Sequence, residues 1–242
     1  LVENHPGLAE AVKLLYRNYV EVREFQSGKA STISENERSD AFPLTSFNDP
    51  VEKARSFLEQ ANNYFDKLEI KADQISLELG SEIGTSFETI ASRLQERHGI
   101  RVQIAPVQDM RHILRHYDRH RRKLMISELL DASGRTFQAA FQLGLLEAGA
   151  EIDDLSGTLG KPESDARKLG RIMLCNYFAA ALMMPYRPFA EAADALSYDL
   201  DILCARFSAS FEQVAHRLTT LARPTQRRVP FFMVRVDTAG NI

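Results

Sequence analysis

The sequence has no tryptophan and only two cysteines among its 242 residues. Cys175 and Cys204 stand far apart with no Cys-x-x-Cys spacing, so the chain has neither a disulfide framework nor a thiolate set for zinc or an iron–sulfur cluster; both read as small buried hydrophobes. No apolar run approaches eighteen residues, which excludes a membrane-spanning helix, and the opening LVENHPG has no basic stretch followed by an apolar one. The expectation is a cytoplasmic protein with no membrane partner. Glycine and proline are sparse at 12 and 9, and no internal repeat or low-complexity tract is present. A formal net charge of −3 excludes a chain that coats nucleic acid through its overall field, although local basic patches remain open. Glycine-rich phosphate loops, Gly-x-Ser-x-Gly elbows and Cys/His nucleophile pairs are missing as well.

What is present is helix. Residues Arg135–Ala148, RTFQAAFQLGLLEA, carry Phe137, Ala140, Phe141, Leu143, Gly144, Leu145 and Leu146 around almost the whole circumference, the pattern of a buried helix. Gln138 and Gln142 interrupt it on one face. A second apolar helix runs from Ile172 to Pro185, IMLCNYFAAALMMP.

This pair resembles the two active-site helices of ImmA/IrrE-type (M78) metallopeptidases, which read roughly Ala-His-Glu-Leu-Gly-His and Glu-Ala-Asn-x-Phe-Ala-Ala-x-Leu-Leu-Met-Pro. Here the stretches are Ala140-Phe-Gln-Leu-Gly-Leu145 and Leu174-Cys-Asn-Tyr-Phe-Ala-Ala-Ala-Leu-Met-Met-Pro185. A zinc hydrolase needs two imidazoles four residues apart, a carboxylate base and a third ligand. Phe141 and Leu145 stand at the histidine positions, Gln142 at the glutamate, and Ile172 or Leu174 at the third ligand. None of them ligates a metal or takes a proton, so the expectation is a non-enzyme without zinc.

Together with Tyr198–Phe207, Phe211–Leu221 and the closing VPFFMVRVDTAGNI, the emptied frame is similar to the short-chain fatty acyl transcriptional regulators of actinobacteria. These are the propionate-catabolism (methylcitrate-cycle) regulators and their acetate-metabolism relatives, and the likeness covers about residues 50 to 242. It implies an XRE-type helix-turn-helix domain before residue 1, through which operator DNA is bound. It also implies a cysteine-bearing region after residue 242 that holds an iron–sulfur cluster, and CoA or short-chain acyl-CoA as effector.

In chain order, residues 1–25 form an amphipathic linker helix whose apolar face fits a second copy of the chain in a homo-oligomer, and 26–48 form a flexible linker. The effector-binding domain is residues 49–242. Asp49-Pro-Val-Glu52 opens a long helix whose apolar stripe runs from Phe57 to Leu79. Ser86–His98 forms another, ended by Gly99, and Val102–Pro106 a strand. Arg111–Tyr117 and Leu124–Leu130 form the arms of a hairpin that completes a three-stranded sheet. Glu151–Asp165 reads as a loop, and short helices follow at Phe189–Leu196, Asp199–Phe207 and Phe211–Leu221, before a last strand beyond Arg228. The fold class is α+β, mostly helical, with a small sheet on a degenerate zinc-metallopeptidase-like helical core.

The densest polar cluster is the hairpin, where His112, His116 and His120 recur every fourth residue. On a strand that spacing separates them by roughly 13 Å per step, too far for shared metal ligation. The cluster reads either as a solvated turn or as an anion patch, since arginine forks match phosphate oxygens. The resemblance favours the anion. For an acyl-CoA the candidate phosphate groups are Arg115, Arg119 and Lys123, with Arg97 and Arg101 near the first strand and Arg228 before the last, and the hollow left by the lost ligands would take the acyl–pantetheine arm against Phe141, Leu145, Tyr177 and Phe178. The Asp199–Leu221 helix pair reads either as a DNA-binding element, with Arg206, Arg217 and Arg223, or as core packing. Glu147, Glu151, Asp153 and Asp154 read as a solvated acidic turn, and a residual hydrolase is the remaining alternative.

Overall fold

A computed structural model describes residues 49–81, 83–110 and 113–234. The helix and linker expected over 1–48 lie outside the described residues, as do Arg111, His112 and 235–242.

The long first helix is two helices, α1 (Asp49–Gln60) and α2 (Asp66–Glu78). Asn62 and Asn63 both adopt left-handed backbone, at φ 50° and 52°, which asparagine tolerates better than most residues. The Tyr64 hydroxyl donates to Asp66 Oδ1 at 2.6 Å beyond the break. The apolar stripe continues across it because both helices face one core, and Phe57 stacks on Phe65 at 5.3 Å.

Helix α3 (Phe87–His98) begins at Ser86, whose side chain accepts from Thr89 N–H. It ends at Gly99, whose φ of 65° is the left-handed cap glycine supplies without strain. Strand β1 (Arg101–Ala105), the single turn α4 (Val107–Met110), β2 (Arg115–Asp118) and β3 (Lys123–Ser127) follow. The sheet order is β1-β3-β2, with β1 parallel and β2 antiparallel to the central β3.

Helix α5 (Ala132–Glu147) starts at Asp131, which accepts from Gly134 N–H at 2.7 Å. The loop expected over 151–165 instead contains α6 (Gly149–Ser156) and a 3-10 turn at Gly157–Leu159. Glycines suggested a loop there, but Ile152 is fully buried and ties the segment to the core. Helix α7 (Asp165–Met183) starts a full two turns before the apolar run, capped by Ser164, and packs along α5. Pro185 separates it from α8 (Tyr186–Ala195). Helices α9 (Leu200–Phe207) and α10 (Phe211–Leu218) carry an Asp199 cap and a Ser210/Gln213 capping box. The strand expected after Arg228 does not form within residues 229–234. Val229, Phe231, Phe232, Met233 and Val234 are exposed there, and no strand among the described residues pairs with them.

Candidate functional site

Helix α5 buries Phe141, Gln142 and Leu143, with Leu145 half-buried and Leu146 exposed at its end. The last is a departure from the fully wrapped helix expected. Leu174 and Cys175 of α7 are buried, and Ile172 is half-buried. Above this pair lies the inward face of the sheet. The antiparallel register sets Arg115 opposite Ile126 and Tyr117 opposite Leu124, and both partners on β3 are fully buried. Strand parity therefore carries an arginine into the core layer. Its guanidinium carbon lies 3.8 Å from the centre of the Phe141 ring, a cation–π stack. Nη1 is sealed from solvent and makes no hydrogen bond.

Burial pushes the Arg115 pKa down to about 10, with the Cys175 thiol as the neighbouring ionisable group. The guanidinium remains charged at neutral pH. Burial pushes the Cys175 thiol up to about 11, against the pull of Arg171 and Arg115, so it is a neutral thiol and not a counter-ion. A zinc ion does not fit these residues. Phe141, Gln142, Leu145, Ile172 and Leu174 lack donors that bind it, and a cation already covers Phe141. Among the described residues, no three His, Cys, Asp or Glu side chains converge as metal ligands would.

The IrrE N-terminal-like domain model of the peptidase M78 class matches residues 95–219, which includes the sheet, both core helices and the α9–α10 pair. The chain belongs to this family. Residues 220–242 match the C-terminal model of the short-chain fatty acyl coenzyme A regulators. The HTH-type transcriptional regulator RamB of Mycobacterium tuberculosis is 37% identical over 244 residues, covering 100% of this chain and 50% of the relative. The HTH-type regulator PrpR of the same organism is 37% identical over 220 residues, covering 90% and 44%. A propionyl-CoA carboxylase regulator from Cereibacter sphaeroides is 34% identical over 245 residues, covering 100% and 50%. A solved Mycobacterium tuberculosis transcriptional regulator superposes with a TM-score of 0.74 at 39% identity, covering 79% of this chain and 58% of that one. The chain spans about half the length of the curated relatives it matches. With these relatives the M78 frame here is that of the short-chain fatty acyl regulators.

On that frame the expected site residues separate into groups. Arg115 and Phe141 meet face to face. Arg119 is exposed in the β2–β3 turn, and Lys123 is half-buried where β3 begins. Arg101 is exposed on β1, whose first N–H bonds the Arg122 carbonyl, so the turn and the start of β1 are adjacent. Arg97 pairs instead with Glu78 at 3.0 Å and Glu147 at 3.5 Å, and Arg228 pairs with Asp194 at 2.8 Å. Phe178 is fully buried against Gly144. Tyr177 turns the other way, accepting from Phe65 N–H at 3.3 Å and donating to Glu69 Oε1 at 2.5 Å.

Two buried ionic groups were not evident from sequence. Glu69 and Arg217 are both fully buried, joined by two bonds of 2.6 and 2.9 Å, while Arg217 Nε donates to the Met184 carbonyl. Burial opposes the Arg217 charge, yet Glu69 holds its pKa above the ordinary value. Burial, then Glu69, pushes the Tyr177 hydroxyl far above the usual tyrosine range. The second group corrects the reading of Glu147 as a solvated turn residue: Arg93 donates to both of its oxygens at 2.6–3.1 Å, and His98 lies at 2.9 Å. The only available signal was spacing, since Glu69 falls on the apolar stripe of α2 and Arg217 on that of α10.

Proposed function

We propose that this chain is the effector-binding and oligomerisation region of a transcription regulator of short-chain fatty acid (propionate) metabolism, and that its effector is CoA or a short-chain acyl-CoA. The supporting observation is that the basic hairpin and the emptied ligand positions occupy one place: Arg115 of the hairpin lies on Phe141 of the core helix. A charged nucleotide end and an apolar acyl end thus have complementary surfaces side by side. The exposed Arg119 and the adjoining Lys123 and Arg101 present cations for phosphates. The names of the relatives, one of them a propionyl-CoA carboxylase regulator, agree with such a ligand. In this reading the domain performs no hydrolysis, because Phe141, Gln142 and Leu145 stand where a hydrolase of this frame has its metal ligands and base.

Calorimetric titration with CoA and propionyl-CoA tests this. Saturable binding is expected, and replacing Arg119 or Lys123 by alanine is expected to weaken it roughly tenfold to a hundredfold, the value of one charge-assisted contact of about 1.5–3 kcal/mol. Absence of binding by the wild-type chain overturns the proposal. Metal analysis is a second check. The purified chain is expected to retain no stoichiometric zinc after dialysis against a mild chelator.

A further inference from the structure

Arg217, Arg93 and Arg115 each withdraw much of the guanidinium from water, and the first two are treated alike. Arg217 is paired with Glu69, and Arg93 with Glu147 and Glu78. Each of these cations is bonded to a carboxylate through two of its nitrogens, as the cost of desolvation requires. Arg115 does not follow this pattern. No carboxylate among the described residues pairs with it, its Nη1 has no acceptor, and its neighbours are an aromatic ring and a neutral thiol. A guanidinium stacked on a core ring with an open Nη1 and no carboxylate beside it, unlike those of Arg217 and Arg93, marks a place where the counter-ion comes from outside.

We infer that Arg115 receives a carboxylate at the acyl end of the effector, so that the domain selects acyl groups that themselves end in a carboxylate. The inference rests on the acyl-CoA reading above and deepens it. A phosphate is a poor match for this position. It is bulky and strongly hydrated, whereas the cation lies behind the strand against Phe141, and the exposed turn already offers phosphates more accessible arginines. A carboxylate is small and planar, and it pairs with a guanidinium through two parallel bonds while the ring keeps its stack on the guanidinium face. Arg115 as a whole is half-buried, so part of its side chain faces solvent.

The experiment is a calorimetric series on the whole chain with CoA, propionyl-CoA, methylmalonyl-CoA and succinyl-CoA. It is run on wild type, Arg115→Met and Arg115→Lys, with a thermal melt of each protein to establish folding. The wild type is expected to bind the two carboxylated thioesters at least about tenfold more tightly than propionyl-CoA. Arg115→Met is expected to erase that preference, bringing the carboxylated thioesters down to the affinity of propionyl-CoA, and Arg115→Lys to keep part of it. Equal affinity for plain and carboxylated thioesters in the wild type overturns the inference. So does a uniform loss across all four ligands in Arg115→Met, because that places Arg115 on a part common to all of them. If no CoA compound binds wild type, the acyl-CoA reading fails on its own. A melt raised by free methylmalonate or succinate in wild type and unmoved in Arg115→Met then supports the carboxylate site, and no rise removes both.

Discussion

Glu69 and Arg217 show what a buried charge costs when its partner is taken away. Both side chains are fully buried, and Tyr177 and the Met184 carbonyl complete their bonding. Glu69→Gln leaves the guanidinium without its counter-ion and is expected to destabilise the chain by about 3–5 kcal/mol in urea unfolding, whereas the double change Glu69→Leu/Arg217→Met is expected to cost much less. Arg115 reverses this logic. Among the described residues its charge has the Phe141 ring but no carboxylate for partner, so Arg115→Met is expected to leave the ligand-free protein about as stable as wild type. Glu147 governs the acid limit. Burial alone would raise its pKa, but the Arg93 and His98 contacts outweigh it and hold the carboxyl below its usual value of 4.5. A depressed folded pKa contributes stability that is complete above the ordinary carboxylate range and is lost as pH falls through the lowered value. Unfolding monitored from pH 6 downward is therefore expected to show a loss of stability that Glu147→Gln flattens.

At the scale of elements, the sequence was readable wherever a local signal sets the boundary. Ser86, Asp199 and Ser210 each accept a bond from a first-turn N–H, and such caps depend on two or three neighbouring residues. Asp131 and Ser164 cap α5 and α7 in the same way, but both starts were missed, because in each helix the apolar run begins a turn or more inside the cap. The break between α1 and α2 was hidden because hydrophobic periodicity reports a shared core and not continuity of the backbone. The orientation of Arg115 was hidden for a related reason. In the four-residue strand Arg-His-Tyr-Asp neither parity is clearly apolar, so the inward face is decided by pairing with Leu124 and Ile126, a tertiary fact. Close approach of the core helices was not read from the sequence, where Gly144 counted only as one of the apolar residues around the helix. A Cβ at Gly144 would stand 2.6 Å from Phe178 Cδ1, within a packed aromatic core. Gly144→Ala is expected to cost about 1–3 kcal/mol through forced repacking, and to leave α5 and α7 helical by circular dichroism.

For the whole molecule, the question is whether these residues read DNA. The α9–α10 pair has the length and turn of a helix-turn-helix, and the curated relatives RamB and PrpR are named HTH-type regulators. A reading helix must expose donors to base edges and cations to phosphates. Helix α10 does not: Arg217 is committed to Glu69, Val214 and Leu218 are buried, and the exposed His216 lies beside Glu212. Arg223 is turned toward Tyr64 and Tyr186, with its guanidinium 4.2 Å from the latter ring. Of the arginines considered for DNA contact, Arg206 is the one left exposed. With a formal charge of −3, the chain also has little non-specific attraction to add. These 242 residues alone are accordingly expected to give no sequence-specific footprint on an operator at physiological salt. The check is a titration across salt concentrations. Any weak binding should fall steeply with salt, and Arg206→Ala should reduce it equally on operator and unrelated DNA. A protected operator sequence that survives physiological salt and is lost in Arg206→Ala would instead make α9–α10 a reading element, and the packing of Arg217 into the core incidental to it.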